Sequence, residues 1–357
     1  MSQNWILVKE RNILDDLIEK VWKIRVGNSP FDIISIHKVL LKDKGYGGGS
    51  ILILPGTWSS GEQLVSLSWN GVRYAELDVK KMLALYLAKN GYSVYTVDYR
   101  THYVPPYFKG RELSFMKNWG WNELINDIKL CVKFIKNDNK EQKIILAGES
   151  FGAGAALNFS VSNWKEDVKA LILLDGGPIK TGVRPRFYEP EVSSIEEMDI
   201  KGIYAIPSRG GPNNPIWAYA LANPDMPSPD PRFGNLAEYL MFMLYSSGSA
   251  NPYSYPYSKK EDMFPILASF DPYWPYRLGL EISQGLYSFK ERYKEIKVPT
   301  IAFISERFGA NVVDTSLLPI NSEFVLLKGY GHLDVYTGDN VEKDVNKVVL
   351  KWISEHL

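Results

Sequence analysis

The chain is poor in several features that would define other classes of protein. It has one cysteine, Cys131, in 357 residues, so neither an internal disulfide nor a cysteine-rich metal site can form. It has no excess charge, since 41 Lys and Arg balance 41 Asp and Glu, whereas a nucleic-acid binder normally carries a basic surplus. It has no long apolar run. The longest, near Leu236–Tyr245, falls far short of the roughly 20 residues that span a bilayer. The opening MSQNWILVKERN carries charge early and no apolar segment, which argues against a secretory leader. Histidine is scarce too: there are four, scattered, so no metal site or cofactor is expected. No internal repeat and no low-complexity tail is present. The expectation is a soluble, cytoplasmic protein. With 45% hydrophobic residues it can bury a full core, and its length suits two domains or one large domain with an insertion.

Residues from Val21 to about Lys180 alternate strand-like and helix-like patterns. Trp22–Val26 and Ile33–Leu41 are β-branched runs separated by Gly-Asn-Ser-Pro, a turn. Ser50–Leu54, Tyr92–Val97, Lys143–Ala147 and Ala170–Leu174 are short apolar strands of the kind found inside a parallel sheet. Between them, Val79–Leu87, Asn122–Lys136 and Ala153–Val161 have helical spacing. Thr300–Ser305 and Glu323–Leu327 resume the pattern, and a last helix carries Val345, Val349, Trp352 and Ile353 on one face. This βαβ train predicts an α/β fold with a mostly parallel sheet and helices on both faces. Residues 179–296 differ. They hold 14 of the 21 prolines, and stretches such as NPYSYPYS and DPYWPY cannot be central strands. The expected organisation is a core of 1–178 and 297–357 with an insertion, 179–296, acting as a cap. Its aromatic and methionine content suits an apolar ligand site.

After the strand KIILA come Gly148-Glu149-Ser150-Phe151-Gly152 and a helix of small residues. The pattern G-x-S-x-G between a strand and a helix places a serine on a strained turn, with its hydroxyl projecting into a cleft. The helix start then aims backbone N–H groups at a developing anion. A serine needs an adjacent base. His37 lies within a strand and His356 at the fraying terminus. His102 and His332 both follow strand ends, where a parallel sheet gathers its ligand crevice.

The elbow GESFG, the turn LPGTW, the segment Asp98-Tyr99-Arg100 and the closing GHLDV together resemble the α/β-hydrolase fold, most of all its serine esterases and lipases. The resemblance covers the core, not the insertion. It implies that His332, which follows the last strand, is the base for Ser150. It implies an acid after the preceding strand TIAFIS: Glu306, with Asp314 as an alternative. Asp175 in LLDGG is a further alternative, a position some relatives use. It implies an oxyanion hole from the N–H groups of Phe151 and Thr57, with Trp58 as the alternative to Thr57. Asp98-Tyr99-Arg100 reads as structural. Trp58, with Tyr239, Phe242 and Met243 on a cap helix, are expected to line the substrate pocket; Trp119 and Trp121 are further candidates.

The expected reaction is hydrolysis of a carboxylic ester through an acyl-enzyme, with a small-molecule ester or lipid bearing an apolar acyl chain as substrate. Two other readings remain. An amidase or aminopeptidase would need cap carboxylates to hold an amine, for which Glu189, Glu191, Glu196 and Glu197 are available. A catalytically silent binding protein could also use this scaffold.

Overall fold

The computed structural model describes residues 4–42, 48–181, 183, 192–246, 258–285 and 289–357. A nine-stranded sheet runs through them. In chain order its strands are β1 (Ile6–Leu14), β2 (Leu17–Arg25), β3 (Ile33–Leu41), β4 (Ser50–Leu54), β7 (Ser93–Asp98), β8 (Ile144–Glu149), β9 (Val168–Leu174), β12 (Thr300–Ser305) and β13 (Ser322–Leu327). Two ribbons stand outside it: β5 (Ser68–Trp69) with β6 (Val72–Arg73), and β10 (Ala205–Pro207) with β11 (Tyr273–Pro275). The strand order is β1-β2-β3-β7-β4-β8-β9-β12-β13. The first three strands form an antiparallel meander joined antiparallel to β7; the rest pair in parallel.

Side chains of a strand alternate between faces, and the core divides accordingly. Leu52, Leu54, Leu146, Leu171 and Leu173 pack with Ile128, Cys131 and Ala155 of the helices α3 (Trp121–Asn139) and α4 (Phe151–Asp167). Ile51, Ile53, Ile145, Ala147 and Ile172 face α2 (Leu83–Lys89) and α12 (Lys347–His356), meeting Leu85, Leu87, Val349 and Trp352. The central strands are therefore apolar throughout because both faces are covered. A short helix, α1 (Gly61–Ser66), follows β4.

Between β9 and β12 the described chain forms α5 (Ile195–Lys201), α6 (Ile216–Ala222), α7 (Leu236–Ser246), α8 (Lys260–Ala268) and α9 (Tyr276–Ser283), together with β10 and β11. NPYSYPYS falls almost wholly outside the described residues, as do Glu189 and Glu191. The segment is tied to the core by polar contacts. The Gln63 side-chain amide donates to Ile266 O at 2.7 Å, the Trp58 indole N–H to Ile206 O at 3.2 Å, and the Asp271 N–H to Trp58 O at 2.7 Å. No helix among the described residues is long and apolar enough to cross a membrane.

β1 was not expected from the sequence. His37 and His102 also prove to be interior residues. His37 lies on β3 and bridges Glu19 of β2 at 2.7 Å and Asp98 of β7 at 2.8 Å. His102 donates to Asp271 at 2.7 Å and lies 3.4 Å from Glu62. Burial alone would push the His37 imidazolium down, but Asp98 and Glu19 outweigh it and lift its pKa to about 9. Arg100 is bound to Asp127 and Asp32, so Asp98 and Arg100 both serve buried structural contacts.

Candidate active site

Ser150 stands between β8 and α4 with φ 51° and ψ −115°, a conformation that non-glycine residues seldom adopt. The flanking glycines make it accessible. A Cβ at Gly148 would lie 2.2 Å from Gly152 O, and one at Gly152 would lie 2.1 Å from Leu54 O. Strand, turn and helix can close on one another only without those side chains. The Ser150 N–H donates to Leu174 O at 2.8 Å, which anchors the turn to the neighbouring strand.

His332 sits in the loop between β13 and α11 (Asp334–Thr337), the latter preceded in the chain by a short helix, α10 (Gly309–Val312). Its Nε2 is 2.8 Å from Ser150 Oγ, and its Nδ1 is 2.7 Å from Asp175 Oδ2. A carboxylate can only accept, so Nδ1 carries the proton and Nε2 accepts from the serine hydroxyl. Phe308 packs on the imidazole at 4.3 Å between centroids and restricts its rotation. Asp175 follows β9 at φ 47° and is 1% exposed. Its Oδ1 accepts the Ser305 backbone N–H at 2.6 Å, and its Oδ2 accepts the Ser305 hydroxyl at 2.7 Å. Three donors therefore fix one buried carboxylate, and one of them is the histidine.

Glu306 does not meet His332, and this corrects the sequence-based choice of acid. Its Oε2 accepts the Gly329 N–H at 2.8 Å. Strand alternation is the reason: Ser305 points toward Asp175, so the next side chain points away, toward the turn after β13. Asp314 is also elsewhere, accepting from the Ser316 N–H and hydroxyl at 3.1 and 2.6 Å. Among the candidates weighed, the structure brings together Ser150, His332 and Asp175. His102 is engaged by Asp271 and does not approach the serine, and His356 is held by Trp352 O and Glu323 at the terminal helix.

Two cavities meet at the serine. One, of about 580 Å³, is lined by Thr57, Trp58, Leu64, Leu240, Ile266, Leu267 and His332 among others. The other, of about 420 Å³, lies against Trp121, Phe151, Asn158 and Tyr293. Ser150 and Thr57 line both. Gly56 brings their loop close, for a Cβ there would stand 3.2 Å from Ser150 Cβ. Phe151 is the first residue of α4, where an N–H has no intrahelical acceptor. Of the expected pocket residues, Trp58, Tyr239 and Met243 line the larger cavity. Phe242 does not. It is 43% exposed and packs on Phe233 at 5.0 Å, because its place on α7 turns it about 100° from Met243. Trp119 is buried away from the cavity with its indole donating to Asp32, whereas Trp121 lines the smaller one.

The sheet, the strand–serine–helix turn and the converging strand-end loops define the α/β-hydrolase class. The comparisons agree. Residues 76–181 match the family described as serine aminopeptidase, S33. A crystal structure from Sulfolobus solfataricus, of a protein provisionally designated a lipase, is 64% identical, covers 99% of this chain and 99% of that one, and has a TM-score of 0.92. The fold alone is shared with a thermophilic esterase from Thermogutta terrifontis, 17% identical over 94% of this chain and 98% of that one at a TM-score of 0.50. It is also shared with the peroxisomal alpha-beta-hydrolase Lpx1 of Saccharomyces cerevisiae, 11% identical over 96% and 91% at 0.51. The curated proteins give no match. The chain belongs to the α/β-hydrolase superfamily, in its esterase and lipase type, and is a hydrolase.

Proposed function

We propose that the protein is a serine hydrolase of carboxylic esters, a carboxylesterase or lipase, that works through an acyl-enzyme. The observation that carries this reading is the relay Ser150–His332–Asp175, joined at 2.8 and 2.7 Å. His332 Nε2 takes the Ser150 proton as Oγ attacks the ester carbonyl carbon. The N–H groups of Thr57 and Phe151 receive the oxyanion, a contribution of several kcal/mol in comparable sites. Asp175 holds the tautomer and balances the imidazolium. His332 then passes its proton to the departing alkoxide oxygen, and the C–O bond breaks. Water, deprotonated by His332, attacks the acyl carbon and returns Ser150 to its hydroxyl form.

The cavities on either side of Ser150 suit the two arms of an ester, and the larger has the size and apolar lining usual for small-molecule sites. In this reading the 179–296 segment is a cap, supplying Tyr239, Leu240, Ile266 and Leu267 to that lining. Each methylene buried there adds at most about 0.8 kcal/mol, or about fourfold in kcat/KM.

The family description matched by residues 76–181 supports a second reading, an aminopeptidase. Glu196 is exposed and Glu197 is engaged by Ser193 and Lys201; neither lines the cavities at Ser150. Parallel assays on p-nitrophenyl esters and aminoacyl p-nitroanilides decide between them. Ester turnover with anilide turnover at least a hundredfold lower is the expected result; preferential anilide cleavage would replace esterase by peptidase.

A further inference from the structure

Glu149, the residue before the nucleophile, has no task in the acyl-transfer scheme. It ends β8, is 9% exposed, and lines the larger cavity beside Ser150. The nearby lining is mostly hydrocarbon, including Ile53, Leu174 and Val335. Among the described residues no hydrogen bond or ion pair reaches its carboxyl group, and burial is the sole cause that moves its pKa, to about 8. A buried carboxyl without partners is costly. Burial therefore favours the acid form, which has one O–H donor and a free acceptor oxygen. The residue that carries this donor lines the same cavity as Ser150, among mostly apolar neighbours.

We propose that Glu149 is a specificity-determining residue whose carboxyl group donates a hydrogen bond to an ether, hydroxyl or carbonyl oxygen carried by the substrate near its scissile ester. The inference rests on the ester-hydrolase reading and narrows it: the preferred substrate is an oxygenated ester, apolar elsewhere, and not a plain fatty ester. A site built around such a bond discriminates more sharply than an apolar wall, because the analogue lacking the oxygen leaves the donor unpaired.

Other titratable groups around Glu149 are engaged. The Tyr99 hydroxyl donates to Pro55 O and the Tyr336 hydroxyl to Leu174 O. His332 is held by Ser150 and Asp175. Further along the cavity, Lys81 pairs with Asp262, and Glu76, Asp78, Arg209 and Glu261 complete its charged lining.

The test measures kcat/KM for matched esters. In one series a single acyl-chain methylene of a p-nitrophenyl ester is replaced by an ether oxygen at successive positions. In a second series the same replacement is made in the alcohol arm of butanoate esters. The readout is the ratio of oxygenated to plain ester within each protein, compared between proteins, which cancels intrinsic reactivity. The expected result is a tenfold or larger preference at one position of one arm in the wild type. Glu149→Gln, which keeps a donor, retains it, and Glu149→Leu brings it near that of a non-enzymatic reference. In the wild type alone, the preference declines as pH rises through about 8, and in Glu149→Gln it does not. A ratio that is flat at every position, identical in the wild type and Glu149→Leu, or constant with pH overturns the inference while plain-ester turnover persists. Preference for amino-substituted over oxygenated esters overturns it in favour of a carboxylate that holds a cation. Absence of all ester turnover overturns the ester-hydrolase reading and this inference together.

Discussion

Replacing Asp175 by Asn changes few atoms and should remove most of the activity. The Asp175 carboxylate accepts from Ser305 N–H, Ser305 hydroxyl and His332 Nδ1. In the variant the amide oxygen keeps the best-placed partner, the Ser305 backbone N–H at 2.6 Å. The amide NH2 then faces both the Ser305 hydroxyl and His332 Nδ1. A donor facing Nδ1 selects the tautomer protonated on Nε2, which cannot take a proton from Ser150, and the imidazolium loses its counter-charge. A loss of about 10³–10⁴ in kcat is expected, equal to about 4–5.5 kcal/mol of barrier. The assay is steady-state hydrolysis of a short p-nitrophenyl ester, with a thermal melt showing that the variant folds. Glu306→Gln and Asp314→Asn are the controls, expected within about threefold of wild type, since their carboxylates hold Gly329 and Ser316. A near-normal Asp175→Asn, or a comparable loss in Glu306→Gln, would refute the assignment of the acid.

His332→Ala should lose activity at least as severely as Asp175→Asn, whereas His102→Ala, which removes a partner of Asp271, should lower the melting temperature and leave the rate per folded molecule within about tenfold; a reversed ranking moves the base. Tyr239→Ser and Met243→Thr should weaken long-chain esters more than acetate because both residues line the cavity, and Phe242→Ser should affect neither; an equal fall at all chain lengths would make α7 a structural support only. His37 titrates near 9 in the fold against about 6.5 when unfolded, so its contribution is complete below pH 6.5 and is lost as pH rises through 9. The wild-type melting temperature should fall by several degrees across that window and by less in His37→Gln, as followed by circular dichroism; parallel curves would remove His37 from the account.

The central strands were readable because a strand covered on both faces is apolar at every position, as SILIL is in β4. β1 was not, because its residues Ile6–Glu10 lie on an edge and are largely exposed, and charge interrupts any alternation. What places it is pairing with β2. The turn that carries Ser150 was legible since strand, serine and helix are contiguous. The contact between Asp175 and His332 was not, because it depends on register between strands far apart in sequence. Leu174 pairs with Phe303, so Asp175 lies level with the end of β12 and meets Ser305, and alternation then carries Glu306 away. The buried cluster of Glu19, His37, Asp98, His102, Glu62 and Asp271 was invisible for the same reason: its members come from separate strands, two helices and the 179–296 segment. Glu149 stood within the motif itself, but a glutamate there reads as solvated until burial is known.

Covalent labelling can locate the nucleophile. The most direct measurement treats the protein with a fluorophosphonate ester, digests it, and locates the adduct by mass spectrometry while residual ester hydrolysis is followed. One adduct is expected, on the peptide carrying Gly148–Gly152, formed in proportion to the activity lost and absent in Ser150→Ala. Undiminished hydrolysis after complete labelling of Ser150, or inactivation with the adduct on another residue, would contradict it.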